Sequence, residues 1–295
     1  MSEKELKAQI LELQEQVRRR DEELTRFRGE LSKTNQILET MIAEMAQDLR
    51  IAALIQRVLS PTELPNINGV EFSTKFLAGT ESGGDYFDVF EHEDKLKFGI
   101  VVASSSGYAM SALFLSVLIQ MSSRIEARKG LSPDVVLQQM AQEIVPNVHD
   151  KDQAHIFYAV MDRRNFELSF SACGPIAAFH HNEEADTWAR LEPASPALSK
   201  SFTAMPLKQS LIMGPRDRLV LCTQGVMSAK NAEGEEFGAE RLLKCLKLAP
   251  KAGVHDVRNE VLYQVEKFSG LAEPFRDQTV VVMEVKDRVI KLAKR

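Results

Sequence analysis

The first fifty residues hold no proline and a single glycine, and apolar side chains return through them alternately every four and three positions. From Leu6 the series runs Ile10, Leu13, Val17, Leu24, Phe27, Leu31, Leu38, Met41 and Met45, broken only by Arg20 and Thr34. A seven-residue repeat of this kind reads as one long helix, because a strand would scatter the same residues over both of its faces. The stripe is too narrow to bury itself and would stay wet on a lone helix. It therefore predicts a coiled coil over residues 1–50, as a parallel homodimer in preference to an antiparallel or heterotypic pair.

Between Asp48 and Leu59 the apolar pattern broadens (DLRIAALIQRVL), which gives a lead-in helix over 51–60 that stops near Ser60 and Pro61. The texture then changes. VEFSTKFLA, LKFGIVVA, AHIFYAVMD, FELSFSAC, IAAFHH, RLVLCTQG and QTVVVMEV are alternating or continuous apolar segments bounded by Gly, Asn, Asp or Pro, and they read as strands. AMSALFLSVLIQMSSRIEA, PDVVLQQMAQEIV, GAERLLKCLKL and VHDVRNEVLYQVEKF read as helices. Strands in runs, joined by hairpin-like turns and with two helices inserted together, predict an α+β fold: a β-sandwich flanked by helices and preceded by the coiled-coil helix. The domains are then a dimerisation helix (1–50), a globular domain (51–287) opened by the lead-in helix, and a basic C-terminal tail (288–295).

A net charge of -5 argues against nucleic acid as the main partner, since a phosphate-binding surface needs a positive excess. Cys173, Cys222 and Cys245 show no metal-site or disulfide spacing and read as reduced, buried thiols. No apolar leader opens the sequence and no membrane-length apolar run occurs in it, so a cytoplasmic protein without a membrane span is expected.

Several short segments carry chemistry in a recognisable order: ALIQRVLSP (53–61), GGDYFDVF (83–90), SSSGYAMSALF (104–114), FSACGPIAAF (170–179), DRLVLCTQGVMSAKNAEGEEFGAERL (217–242) and RDQTVVVMEV (276–285). Over about residues 50 to 287 they resemble the PPM-type metal-dependent serine/threonine phosphatases, in the SpoIIE/RsbU-type branch. The resemblance implies a site in which aspartates hold two Mn²⁺ or Mg²⁺ ions that activate water for attack on a phosphoserine or phosphothreonine. Such cations need hard oxygen ligands, above all carboxylates, and it is the ion pair that polarises the phosphoryl group and acidifies the water.

Carried over position by position, the resemblance finds most of those ligands replaced. Asp85 and Asp88 match the aspartates of the GGDYYD-type element. Ser104 stands where the bridging aspartate of DVSGHG belongs, Gln224 where the aspartate of TDG belongs, and Arg276 in place of the first aspartate of DDxT, whose second survives as Asp277. A hydroxyl, an amide and a guanidinium do not neutralise two divalent cations, and a fixed positive charge a few ångströms away costs them several kcal/mol even at an effective dielectric of about 20. No cofactor is therefore expected. A buried Asp85 without metals needs another counter-charge, and Arg276 is expected to reach it.

These positions predict a pseudophosphatase that binds a phosphorylatable partner, with Asp85, Arg276, Ser104 and Gly107 as the binding residues and no catalytic residue. By family resemblance the partners are STAS-type or kinase-like anti-sigma-factor signalling proteins in bacteria. One alternative is an active phosphatase that holds Mn or Mg on Asp85, Asp88 and Asp277 with waters. A second is a dimeric scaffold without enzymatic activity. Ser104, Ser105 and Ser106 with Gly107 form either a helix cap or a backbone nest for an anion. His180 and His181 read as exposed hairpin residues, and Trp188 as half buried beside the same turn.

Overall fold

The computed structural model describes residues 3–59, 64–80, 84–106, 109–249, 253–271 and 273–286. Gly107 and the 288–295 tail thus lie outside the described residues. The chain falls into two units, Met1–Ile51 and Ala52–Arg295.

Helix α1 (Glu3–Leu59) runs without a break to the residue before Ser60. Ile10, Leu13, Val17, Leu24, Phe27, Leu31, Leu38, Met41 and Met45 are each 49–65% exposed on it. Pairs four apart such as Arg18–Glu22 and Arg26–Glu30 lie 3.8 and 3.7 Å apart in full solvent, where ion pairs contribute only a few tenths of a kcal/mol, about 0.3–0.5 each. The apolar stripe outweighs them, because covering it with a second helix would remove nine large side chains from water.

The second unit is built from two antiparallel sheets. One has the order β1 (Val70–Leu77), β10 (Gln278–Val285), β9 (Arg218–Cys222), β6 (Ala177–Asn182), β7 (Thr187–Arg190). The other has the order β2 (Asp85–Glu91), β3 (Lys97–Ser106), β4 (Gln153–Asp162), β5 (Glu167–Cys173), β8 (Gln209–Ile212). Alternation sorts their side chains into two faces. Phe98, Ile100, Val102, Phe157, Ala159 and Met161 of the second sheet meet Leu219, Leu221, Val281 and Met283 of the first in the core between them. The intervening residues face helices. Val101, Ala103, Ile156 and Tyr158 pack under α2 (Ala109–Glu126) and α3 (Pro133–Ile144) through Leu115, Ile119, Leu137 and Met140. Phe179, Val220, Val280 and Val282 pack under α5 (Gly238–Leu248) and α6 (Val254–Ser269) through Leu242, Leu246, Val257 and Val261.

This is the expected α+β sandwich, with two differences in detail. GGDYFDVF contributes a strand of its own, β2, from Asp85. Strand β3 also continues through Ser106, so the three serines end a strand. Their hydroxyls show why: Ser105 Oγ donates to the Ala112 carbonyl at 2.6 Å and Ser106 Oγ to that of Gln153 at 3.3 Å, which ties the strand end to α2 and β4.

Register between β9 and β10 is pinned by a buried pair. Arg218 lies opposite Glu284, and its Nε donates to the carboxylate at 2.7 Å. A slip by one residue would bury both charges unmatched, which costs about 3–5 kcal/mol. That register delivers Thr223 and Thr279 side by side at the end of the sandwich where the site forms.

Candidate functional site: a carboxylate closed by hydroxyls

Period-two alternation sends Asp85 of β2, Ser104 of β3 and His155 of β4 to the inter-sheet face, because each shares parity with core residues of its own strand. Asp85 pairs with Ser104 and Ser104 with His155, so the three form one row across the sheet. Facing them, Thr223 directly follows β9 and Thr279 lies in β10. Thr223 Oγ1 donates to Asp85 Oδ2 at 2.5 Å and Thr279 Oγ1 to the same oxygen at 2.8 Å. The Ser104 hydroxyl bonds the same carboxylate. Thr223 Oγ1 in turn accepts from the Thr279 amide at 2.9 Å, which ties the pair of hydroxyls to the backbone.

Burial pushes the Asp85 carboxyl up to about 7, with repulsion from Asp277 adding to the rise and the three hydroxyls opposing it. Asp277 is also buried, and its Oδ1 accepts from the Gly79 amide at 2.8 Å. The backbone of residues 276–277 is held between two glycines. A Cβ on Gly79 would come 2.5 Å from the Arg276 carbonyl carbon, and one on Gly225 would come 1.9 Å from the Asp277 carbonyl oxygen. Any other residue at either place would displace Asp277.

His155 is 5% exposed, and among the described residues its Nδ1 has no hydrogen-bond partner. Burial, assisted by the charge of Arg276, lowers it to about 4, so the ring is neutral at pH 7. It occupies the space above Gly174, where φ is +77° and a Cβ would meet Nδ1 at 2.5 Å. Glycine satisfies both demands there.

Arg276 corrects an expectation. It is exposed, and among the described residues no ion pair joins it to Asp85. It precedes β10, and its charge reaches His155 without an ion pair to Asp85. Hydroxyls and a raised pKa balance Asp85 instead. Asp88 is likewise apart from the centre: its parity places it on the helix-facing side, where it accepts from the Tyr86 hydroxyl at 3.2 Å. Gln224 opens the short helix α4 (Gln224–Met227) and is half-buried. The two histidines of the β6–β7 hairpin are not exposed: His181 is buried, stacks on half-buried Trp188 at 4.6 Å and contacts Asp186 at 3.2 Å, while His180 contacts Asp217 at 3.0 Å. All three cysteines are free and buried.

A pair of divalent cations does not fit these residues. Among the described residues no group of three or more His, Cys, Asp or Glu is placed to hold a metal ion. Asp85 Oδ2 is already bonded by two threonine hydroxyls, Asp277 Oδ1 by an amide, and the neighbouring donors are neutral.

The sandwich, the order of its motifs and the altered acid centre now meet an independent finding: the family described as Stage II sporulation protein E (SpoIIE) matches residues 94–286. The chain belongs to the SpoIIE family. Its fold is that of a PPM-type serine/threonine phosphatase of the SpoIIE/RsbU branch, with no intact metal-binding motif among the described residues. It is 22% identical over 208 residues to the phosphoserine phosphatase RsbU of Bacillus subtilis, covering 70% of this chain and 61% of that protein. It is 26% identical over 244 residues to protein IcfG of Synechocystis sp., covering 72% of this chain and 38% of that protein. The chain thus spans less than two thirds of either relative. The SiaA-PP2C domain of Pseudomonas aeruginosa superposes with a TM-score of 0.68 at 18% identity, over 83% of this chain and 98% of that domain. At that identity the likeness speaks for the fold.

Sequence reasoning missed Thr223, Thr279 and His155. The alternation of RLVLCT, QTVVVM and AHIFYAV holds the signal, since each polar residue continues the parity of core-facing side chains.

Proposed function

We propose that this SpoIIE-family protein is a pseudophosphatase: it binds a phosphorylatable signalling protein and does not hydrolyse its phosphate. One observation carries the reading. Asp85 at the centre of the site is bonded by Thr223, Thr279 and Ser104 and carries a raised pKa, so hydroxyls and a proton take the place that metal ions would need. Family membership supports partners of the STAS type or their kinase-like anti-sigma antagonists. Among the described residues no helix is long and apolar enough to cross a membrane.

The test is phosphate release from p-nitrophenyl phosphate by the full chain with manganese. The expected rate equals the protein-free blank and is unchanged in Asp85→Ala. Turnover that vanishes in Asp85→Ala overturns the reading in favour of a rearranged metal site, for which the closeness of Asp85 and Asp277 is the supporting feature. A purely structural scaffold would give neither turnover nor phosphoprotein binding.

We also infer that the protein self-associates through α1 as a parallel coiled coil. The support is the exposed stripe from Ile10 to Met45, an apolar surface that water disfavours at about 25 cal/mol per Å². Light scattering on the full chain is expected to give twice 33.1 kDa. The double variant Leu24→Lys/Leu31→Lys should fall to one chain mass with its circular dichroism of the sandwich intact; a single-chain mass in the wild type refutes the pairing.

A further inference from the structure

At the other end of β3 from the acid centre, about 23 Å along the strand from Ser104 to Lys97, a cavity of about 370 Å³ opens between the β2–β3 turn and the start of α3. Of the five charged side chains that line it, three are already matched. Lys97 meets Asp162 at 3.8 Å, Lys129 meets Glu126 at 2.6 Å, and Asp94 is held by Arg164 at 2.8 Å. Two are left over: Glu93 and Lys208 are exposed, and among the described residues neither has an ion-pair partner. The start of α3 adds a partial positive charge. Ser132 is its N-cap, yet the Ser132 hydroxyl donates to Asp134 Oδ1 at 2.5 Å, so no side chain caps the amides of the first turn.

His92, only 4% exposed, lines the same cavity with an unused polar atom. Its Nε2 lies 3.4 Å from the Tyr158 hydroxyl, which donates its one proton to the Ala127 carbonyl at 3.3 Å. A carbonyl only accepts, so Nε2 carries the ring proton and donates to the phenolic oxygen. Nδ1 is then a bare lone pair, and among the described residues it has no partner. Burial, with the charge of Lys97 adding to it, holds the ring below the usual histidine pKa, so the lone pair persists at pH 7.

These four features differ in sign, and that selects the ligand. A simple anion would leave Glu93 unmatched and Nδ1 without a donor. A simple cation would leave Lys208 and the α3 amides unused. A zwitterion meets all of them, its ammonium donating to Nδ1 beside Glu93 and its carboxylate accepting from the α3 amides beside Lys208. Leu131 and Val160 supply an apolar wall, and the volume falls in the range of about 300–1,000 Å³ that holds small ligands.

We propose that this cavity binds a free amino acid with an apolar side chain, its ammonium on His92 and Glu93, its carboxylate on the N-terminus of α3 and Lys208, and its side chain against Leu131 and Val160. The site is separate from the acid centre, so it stands or falls independently of whether the chain hydrolyses phosphate.

The experiment is isothermal titration calorimetry on the full chain with leucine, with 4-methylpentanoate, which lacks the ammonium, and with 3-methylbutylamine, which lacks the carboxylate. Leucine is expected to bind with a dissociation constant below about 1 mM, and each analogue about tenfold or more weakly. Glu93→Gln should weaken leucine by about tenfold and leave 4-methylpentanoate unchanged, while Lys208→Gln should weaken leucine by about tenfold and leave 3-methylbutylamine unchanged. Both side chains are exposed, so circular dichroism of the variants should match the wild type. No binding of leucine, equal affinity for leucine and either analogue, or unaltered leucine affinity in Glu93→Gln or in Lys208→Gln overturns the site.

Discussion

Asparagine in place of Asp85 is expected to raise the melting temperature at pH 8 and to leave it nearly unchanged at pH 5. The carboxyl is held near 7 in the folded chain against 3.8 as its ordinary value, so between these limits the folded state keeps a proton that the unfolded state has lost. Stability from this group is therefore complete at acid pH and declines as pH climbs through about 4 to 7. Above that window the ionised, buried carboxylate opposes folding by a quantity on the order of 4 kcal/mol. Asparagine cannot ionise, still offers a carbonyl to Thr223 and Thr279, and removes the repulsion from Asp277. Its extra N–H pair needs an acceptor, so the net gain at pH 8 is about 2 kcal/mol, or roughly 4–8 °C for a domain of this size. At pH 5, where Asp85 is already protonated, the variant should match the wild type. Differential scanning calorimetry at the two pH values decides it. A variant less stable at pH 8 would show that Asp85 is ionised and well matched, which is what a working metal centre requires, and a gain independent of pH would show that its carboxyl is not shifted by folding.

Much of this centre was legible in the sequence at the level of what is missing. Ser104, Gln224 and Arg276 stand at positions that need carboxylates by family resemblance, and the alternating segments placed the strand that carries Ser104 and the strands that Gln224 and Arg276 adjoin. What replaced the metals was not legible in the same way. Linear reading paired Asp85 with Arg276, because opposite charge was the simplest compensation. The answer lay in parity and register. The β9–β10 pairing sets Thr223 beside Thr279, and inter-strand contacts separated by 138 and 194 residues carry their hydroxyls to Asp85. Asp88 failed for the same geometric reason: three residues from Asp85, it projects from the opposite face of β2. Distances of this kind come from the closure of one sheet on another, a tertiary fact that local propensity does not contain.

The reverse substitution tests the same electrostatics from the other side. Ser104→Asp puts a second carboxylate directly opposite Asp85 in the β2–β3 register, at a residue that is only 6% exposed, with Asp277 already nearby. Like charges confined there cannot all ionise, so the variant should lose about 3 kcal/mol or more at pH 8 and recover much of it at pH 5, where a proton can be taken up. Adding Gln224→Asp and Arg276→Asp deepens the deficit and restores the acid set that the family resemblance calls for. Manganese is then the missing partner. With free metal at about a hundred times its dissociation constant, linkage contributes about 2.7 kcal/mol, a rise of several degrees in melting temperature, whereas the wild type should move by less than about 1 °C. A triple variant that ignores manganese would mean that these three positions are not what excludes the ions. The threonine bracket on Asp85 would then be the obstacle, and Thr223→Asn/Thr279→Asn in the triple background is the variant that separates the two causes.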